Sequence, residues 1–133
     1  MKKITESWLL SNKYELKNVK VTGVSLNMEN HGCFCLDITL EGGGIGVVYG
    51  GYCLGKGYVG ADDDFFSGSA KGEEAIMRIM DTLEVSDLMN MKGKYARIAT
   101  KGLGSSVKII GNITKDKWFD YESFFKEDNQ CKS

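Results

Sequence analysis

Hydrophobic and polar positions alternate over the first third of the chain, take helical spacing in the middle, and alternate again towards the end. Over residues 14–28 the apolar side chains fall in two phases, Val19 and Val21 in one and Val24, Leu26 and Met28 in the other. The phase slips at Gly23, which predicts a strand with a bulge there, because one inserted residue swaps the two faces. Asn30, His31 and Gly32 then read as a turn. In "CFCLDITLE", Phe34, Leu36, Ile38 and Leu40 share one face, while Cys33, Cys35, Asp37, Thr39 and Glu41 share the other. That alternation predicts a half-buried strand. A glycine turn at 42–44 follows, and "IGVVYGGYCL" reads as a third strand pairing back on the second.

Beyond the loop "GADDDFFSGS", the spacing of Ile76, Ile79, Met80 and Leu83 predicts a helix over 70–85, with Glu73 and Glu74 in its first turn favouring the helix dipole. "KGKYARIAT" and "SSVKIIGNIT" predict two strands around the turn "KGLGS". "DKWFDYESFFKED" predicts a short terminal helix capped by Asp120, with Phe124 and Phe125 packing inward. Residues 1–12 read as a short helix carrying Trp8, Leu9 and Leu10, or as an arm that docks on a partner chain, and 128–133 as a flexible tail. Hairpin-length links between strands imply an α+β fold: a mainly antiparallel sheet of about five strands, one central packed helix and a short C-terminal helix.

Composition narrows the class. At 133 residues, 42% hydrophobic, without proline and at net charge −1, the chain is expected to form one domain over 1–133. The balanced charge argues against a diffuse basic surface, so no direct nucleic-acid partner is expected. No apolar run approaches the roughly 18 residues that span a bilayer, and the start lacks a signal peptide's apolar core. A cytoplasmic protein without a membrane partner is therefore expected. Cys33, Cys35, Cys53 and Cys131 suit free thiols in a reducing compartment better than a disulfide framework.

The segment "GGGIGVVYGGYCLGKGYVG" holds nine of the seventeen glycines and two phosphate-loop look-alikes. Gly50, Gly55 and Lys56 are spaced as in a P-loop, but Gly57 stands where a hydroxyl should hold magnesium, and the acidic "ADDD" follows instead of a helix. "GKGYVG" matches a dinucleotide fingerprint literally, yet the next helix begins about ten residues later among antiparallel strands. The glycines read instead as a turn, as bends, and as points of close backbone approach. Beside Tyr49, Tyr52 and Tyr58 they also suit a pocket that offers amide donors and flat rings.

Other chemistry is sparse. His31, Cys33, Cys35 and Cys53 lack zinc spacing, and His31 has no evident nucleophile or orienting carboxylate. Asp62, Asp63 and Asp64 lack the further ligands of a calcium loop and read as a solvated acidic loop that can also meet a basic partner. Trp118, Phe119, Tyr121, Phe124 and Phe125 read mainly as core and helix anchors. Arg97 and Lys108, on adjacent late strands, are candidates for phosphate or carboxylate contacts. No cofactor or metal is expected, and no catalytic set emerges.

The combination of "YGGYCL", "KGKYARI" and "IGNITKDKWF", spread over residues 14–125, resembles small phage and prophage proteins. "SGSAKGEEAI" departs from the more apolar helix start of such relatives. Compact phage accessory proteins often resemble inhibitors of bacterial immunity. Thoeris anti-defence proteins sequester nucleotide messengers, and anti-CRISPR proteins bind a Cas effector. The resemblance implies a setting, the bacterial host cell and its immunity, more than a mechanism; within it the leading expectation is a non-enzymatic binding protein with a nucleotide-derived signal held in a pocket at or near a homodimer interface. On this reading Tyr49 and Tyr52 stack on the ligand, Gly50 and Gly51 donate backbone N–H groups, and Arg97 and Lys108 meet phosphate. The alternative partner is a host defence protein, met through "ADDDFF" and the N-terminal "ESWLL".

Overall fold

A computed structural model of the chain describes residues 3–102 and 106–131. Its elements run in the order α1 (Glu6–Ser11), β1 (Glu15–Asn30), β2 (Cys33–Gly42), β3 (Ile45–Gly50), β4 (Gly55–Val59), β5 (Asp64–Gly68), α2 (Ala70–Leu83), a 3-10 turn (Leu88–Met91), β6 (Tyr95–Thr100), β7 (Ile109–Asn112), β8 (Trp118–Asp120) and α3 (Tyr121–Cys131). The fold is α+β with an antiparallel sheet, as expected, but the sheet has eight strands in place of about five. Its order is β5-β4-β2-β1-β6-β7-β8, with β3 also paired to β2.

The long β1 carries the predicted bulge. Val21 pairs with Leu40 but Gly23 with Thr39, so Thr22 is the extra residue. His31 and Gly32, both at positive φ (52° and 78°), close the β1–β2 hairpin as a two-residue turn whose twist matches the strands. In β2, Leu36, Ile38 and Leu40 are fully buried, with Phe34 half-buried behind them.

The predicted third strand is in fact two. β3 and β4 lie along the same edge of β2, β3 on its second half and β4 on Cys33 and Phe34. From Gly50 to Gly55 the chain advances five residues while its partner moves three, from Asp37 to Phe34, so two residues are extruded. Gly50 makes this possible: its φ is 127°, and a Cβ there would lie 2.0 Å from the Leu36 carbonyl oxygen. β4 then pairs with β5, which the sequence pattern presents only as loop.

Helix α2 begins at Ser69, whose hydroxyl accepts from the Gly72 N–H, and its apolar stripe buries Ala75, Ile79 and Leu83. That stripe packs with Ile98, Ile110 and Phe119 on one face of the sheet. The neighbouring residues Ala99, Ile109 and Trp118 point to the other face, where Leu9 of α1 covers them with Trp8 and Tyr14. Burying Leu9 contributes roughly 2 kcal/mol. Both faces of β7 and β8 are therefore apolar, and all of β7 is buried.

α1 is the short helix foreseen for the N-terminus, with Leu9 inward and Leu10 exposed. Asp120 accepts from the Ser123 N–H at 3.0 Å, the cap foreseen for α3, and Phe124 is buried while Phe125 is partly so. The expected tail falls partly on α3, which continues to Cys131, and partly on residues outside those described. The expected turn at 101–105 likewise falls mostly outside them. Among the described residues no helix is long and apolar enough to cross a membrane.

Candidate ligand site

The extruded residues after Gly50 form the wall of an open cavity of about 440 Å³ between β3 and the segment leading into β7. Its lining includes Val47, Gly50, Gly51, Tyr52, Ser106 and Lys108. Four of the six residues expected to bind a ligand thus converge. The Gly51 and Tyr52 N–H groups donate to no described residue. Tyr52 is half-buried, its ring stacked on Tyr121 with centroids 4.4 Å apart and on Phe125 at 5.3 Å. The bulge swings Tyr52 from the sheet edge onto α3, so its ring is one wall of the cavity and also a packing surface. Burial, with the charge of Asp120 adding, raises its phenol pKa.

A second cavity of about 470 Å³ shares Ser106 and Lys108 with the first and extends past Tyr14, Lys101, Asp120 and Glu122. Together they make a trough with aromatic and backbone-amide groups at one end and charged groups at the other. Lys108 stands at the junction, its Nζ ion-paired with Glu122, and that carboxylate also accepts from Lys126 at 2.5 Å. Lys101 donates to the Asn12 carbonyl at 2.7 Å and sits 4.5 Å above the Tyr14 ring. Lys101 and Lys108 face Asp120 and Glu122, so an anion entering here competes with the protein's own carboxylates.

Two of the expected ligand residues belong elsewhere. Tyr49 is fully buried, and the single proton of its hydroxyl is shared between the carbonyls of Lys108 and Phe119, at 3.1 and 3.2 Å. Burial, with the charge of Asp120 adding, pushes its pKa well up. No face of that ring is open to a ligand, so its role is to tie β3 to β7 and β8. Arg97 lies on the α1 side. Its Nε donates to the Asn112 carbonyl at 2.8 Å, Nη1 to Glu6 at 2.6 Å and Nη2 to the Lys115 carbonyl at 3.0 Å, with the guanidinium 4.5 Å over Trp118. Those contacts engage three of its five N–H donors, pair its charge with Glu6 and fix α1 and the β7–β8 turn, away from the cavity lined by Lys108.

Sequence reasoning missed Ser106 and Lys101 as lining residues. The only signal for them was proximity to Lys108 within "KGLGSSVK".

The phosphate-loop look-alikes sit in β4, where Lys56 pairs with Ser67 and Gly57 makes room for Phe66 and Met28. Cys33, Cys35 and Cys53 are free thiols, and among the described residues no group of histidine, cysteine or carboxylate side chains is arranged to hold a metal.

No family model, curated protein or solved structure matches this chain. The trough offers a flat aromatic wall, two unengaged amides and a lysine whose charge is held in place by a carboxylate. Those groups suit a small planar anion.

Proposed function

We propose that the chain is a non-enzymatic binding protein that sequesters a nucleotide-derived signal, in the setting its resemblance implies: a phage-encoded inhibitor of a bacterial immune system, acting in the host cytoplasm. The observation that carries this reading is the convergence of Gly50, Gly51, Tyr52 and Lys108 on one open cavity, contiguous with a second that adds Lys101. The base of the ligand lies along Tyr52 and the Gly51 and Tyr52 amides, and its phosphate replaces Glu122 as the partner of Lys108. Calorimetry with cyclic nucleotides and ADP-ribose derivatives tests this: stoichiometric binding without turnover supports it, and no heat with any member of the panel refutes it.

A second reading, a contact inhibitor of a host defence protein, is favoured by one feature. Phe65 and Phe66 are exposed beside three aspartates that form no ion pair with a described residue. A pull-down from host lysate separates the two, since a small-molecule sponge retains no stoichiometric protein.

A further inference from the structure

The two ends of the sheet are unlike. β8 is three residues long and passes at once into α3, whereas β5 has no strand beyond it and all of its residues are exposed. β5 has no lysine, proline or bulge, and the charge that would blunt its edge is confined to its first residue, Asp64.

The hydrogen-bond phase of this edge can be read from its neighbour. The Gly57 N–H donates to Gly32, on the side away from β5, and the Gly60 N–H donates to Asp63. Gly57 and its partner Phe66 are therefore a non-hydrogen-bonded pair. It follows that Asp64, Phe66 and Gly68 turn their N–H and C=O groups towards the open edge.

We infer that two copies of the chain pair through β5, antiparallel about a two-fold axis at Phe66, and join their sheets into one. In this register Phe66 exchanges both hydrogen bonds with Phe66 of the second copy, and Asp64 exchanges both with Gly68 of the second copy. Every outward group of the strand is then satisfied. The two Phe66 rings lie directly opposite on the α2 face, covering surface that is 68% exposed in one chain.

Charge selects a second copy in this orientation. Asp63 of one copy comes opposite Ser69 of the other, two strands from Lys56, which sits beside Ser67 on β4, so these charges attract at longer range than a contact pair. Neither Asp63 nor Lys56 has an ion-pair partner among the described residues of its own chain. Asp64 comes beside the N-terminus of α2, where the helix dipole favours a carboxylate. A parallel pairing would instead set Asp64 against Asp64 and is disfavoured. Each contact occurs twice, as a two-fold interface requires. The interface is small, so dissociation is expected in the roughly micromolar range.

Sedimentation equilibrium and native mass spectrometry of the full chain test this. The parent is expected to dimerise. Phe66→Lys, and separately Lys56→Asp or Asp63→Lys, are expected to raise the dimer dissociation constant about tenfold or more. Lys56→Asp combined with Asp63→Lys should restore it, and Met89→Lys, at an exposed site elsewhere, should not change it. Thermal unfolding of each variant reports whether the fold survives, and if Phe66→Lys does not, the charge swap decides. A parent that stays monomeric, a dimer indifferent to all three substitutions, or a monomer that captures another protein through β5 would each overturn the inference.

Discussion

The ring of Tyr52 lies 4.4 Å from that of Tyr121 at an interplanar angle of 24°. This stack joins the extruded residues after β3 to the first turn of α3, and so couples one wall of the candidate site to the core. Tyr52→Ala is therefore expected to cost about 2–4 kcal/mol of stability, from the lost ring burial and stacking. Tyr52→Phe keeps the stack and should stay within about 1 kcal/mol of the parent. Urea unfolding of both variants checks this, and equal stability for Tyr52→Ala and the parent would show the stack to be incidental.

Two buried phenols in the same cluster should respond oppositely to loss of their hydroxyls. Tyr49 shares its one hydroxyl proton between two carbonyls, so Tyr49→Phe is expected to destabilise by about 1–3 kcal/mol and to leave any ligand affinity unchanged. The Tyr121 hydroxyl is buried with no hydrogen-bond partner among the described residues, and burial first, then the charges of Cys35 and Asp37, raises its pKa. Removing an unsatisfied hydroxyl relieves its desolvation cost, so Tyr121→Phe should be neutral or stabilising by up to about 1–2 kcal/mol. Differential thermal unfolding of the two variants decides.

Adjacent glycines make a similar contrast. At Gly50 a Cβ would meet the Leu36 carbonyl at 2.0 Å and φ is 127°, so Gly50→Ala should cost about 3 kcal/mol or more, through backbone displacement as well as strain. At Gly51 the space is open and only φ, at 84°, opposes a side chain, so Gly51→Ala should cost about 1–2 kcal/mol. Chemical denaturation of the pair measures the difference.

The alternation of β2 and the stripe of α2 were legible because each buries one face, which imposes a period of two or of 3.6 on the residue order. β4, β5 and β8 were not. "GKGYV" and "DFFSG" are short and glycine-bearing, and Trp118 and Phe119 are both buried, on opposite faces, so no alternation marks them. At the candidate site, proximity in sequence carried Gly50, Gly51 and Tyr52 together. It could not show that a two-residue extrusion sends Tyr52 to α3 while Tyr49 stays under β3. Nor could it show Arg97 meeting Glu6, ninety-one positions away, which commits its charge to α1.

Acid should act through Glu84, the left-handed residue that ends α2. The Lys115 ammonium, hydrogen-bonded to its carboxylate, holds the Glu84 pKa below the ordinary value near 4.5, and Lys117 and Asn112 assist. A depressed folded-state pKa gives stability that is present above the ordinary value and is lost as pH falls through the lowered one. Lys115→Met should flatten this part of the acid limb and raise the Glu84 pKa towards its ordinary value. Carboxyl titration by NMR beside urea unfolding across the acid range checks both.

Capture of a planar anion in the trough joining Tyr52 to Lys108 is decided by calorimetry on a set of Glu122 and Lys108 variants. Glu122→Gln frees Lys108 from its ion pair and is predicted to tighten binding of the responding nucleotide. Lys108→Gln is predicted to weaken it about tenfold or more. One nucleotide bound per chain, with those opposite shifts, is the expected result. No binding by the parent, or binding indifferent to both substitutions, would contradict the account.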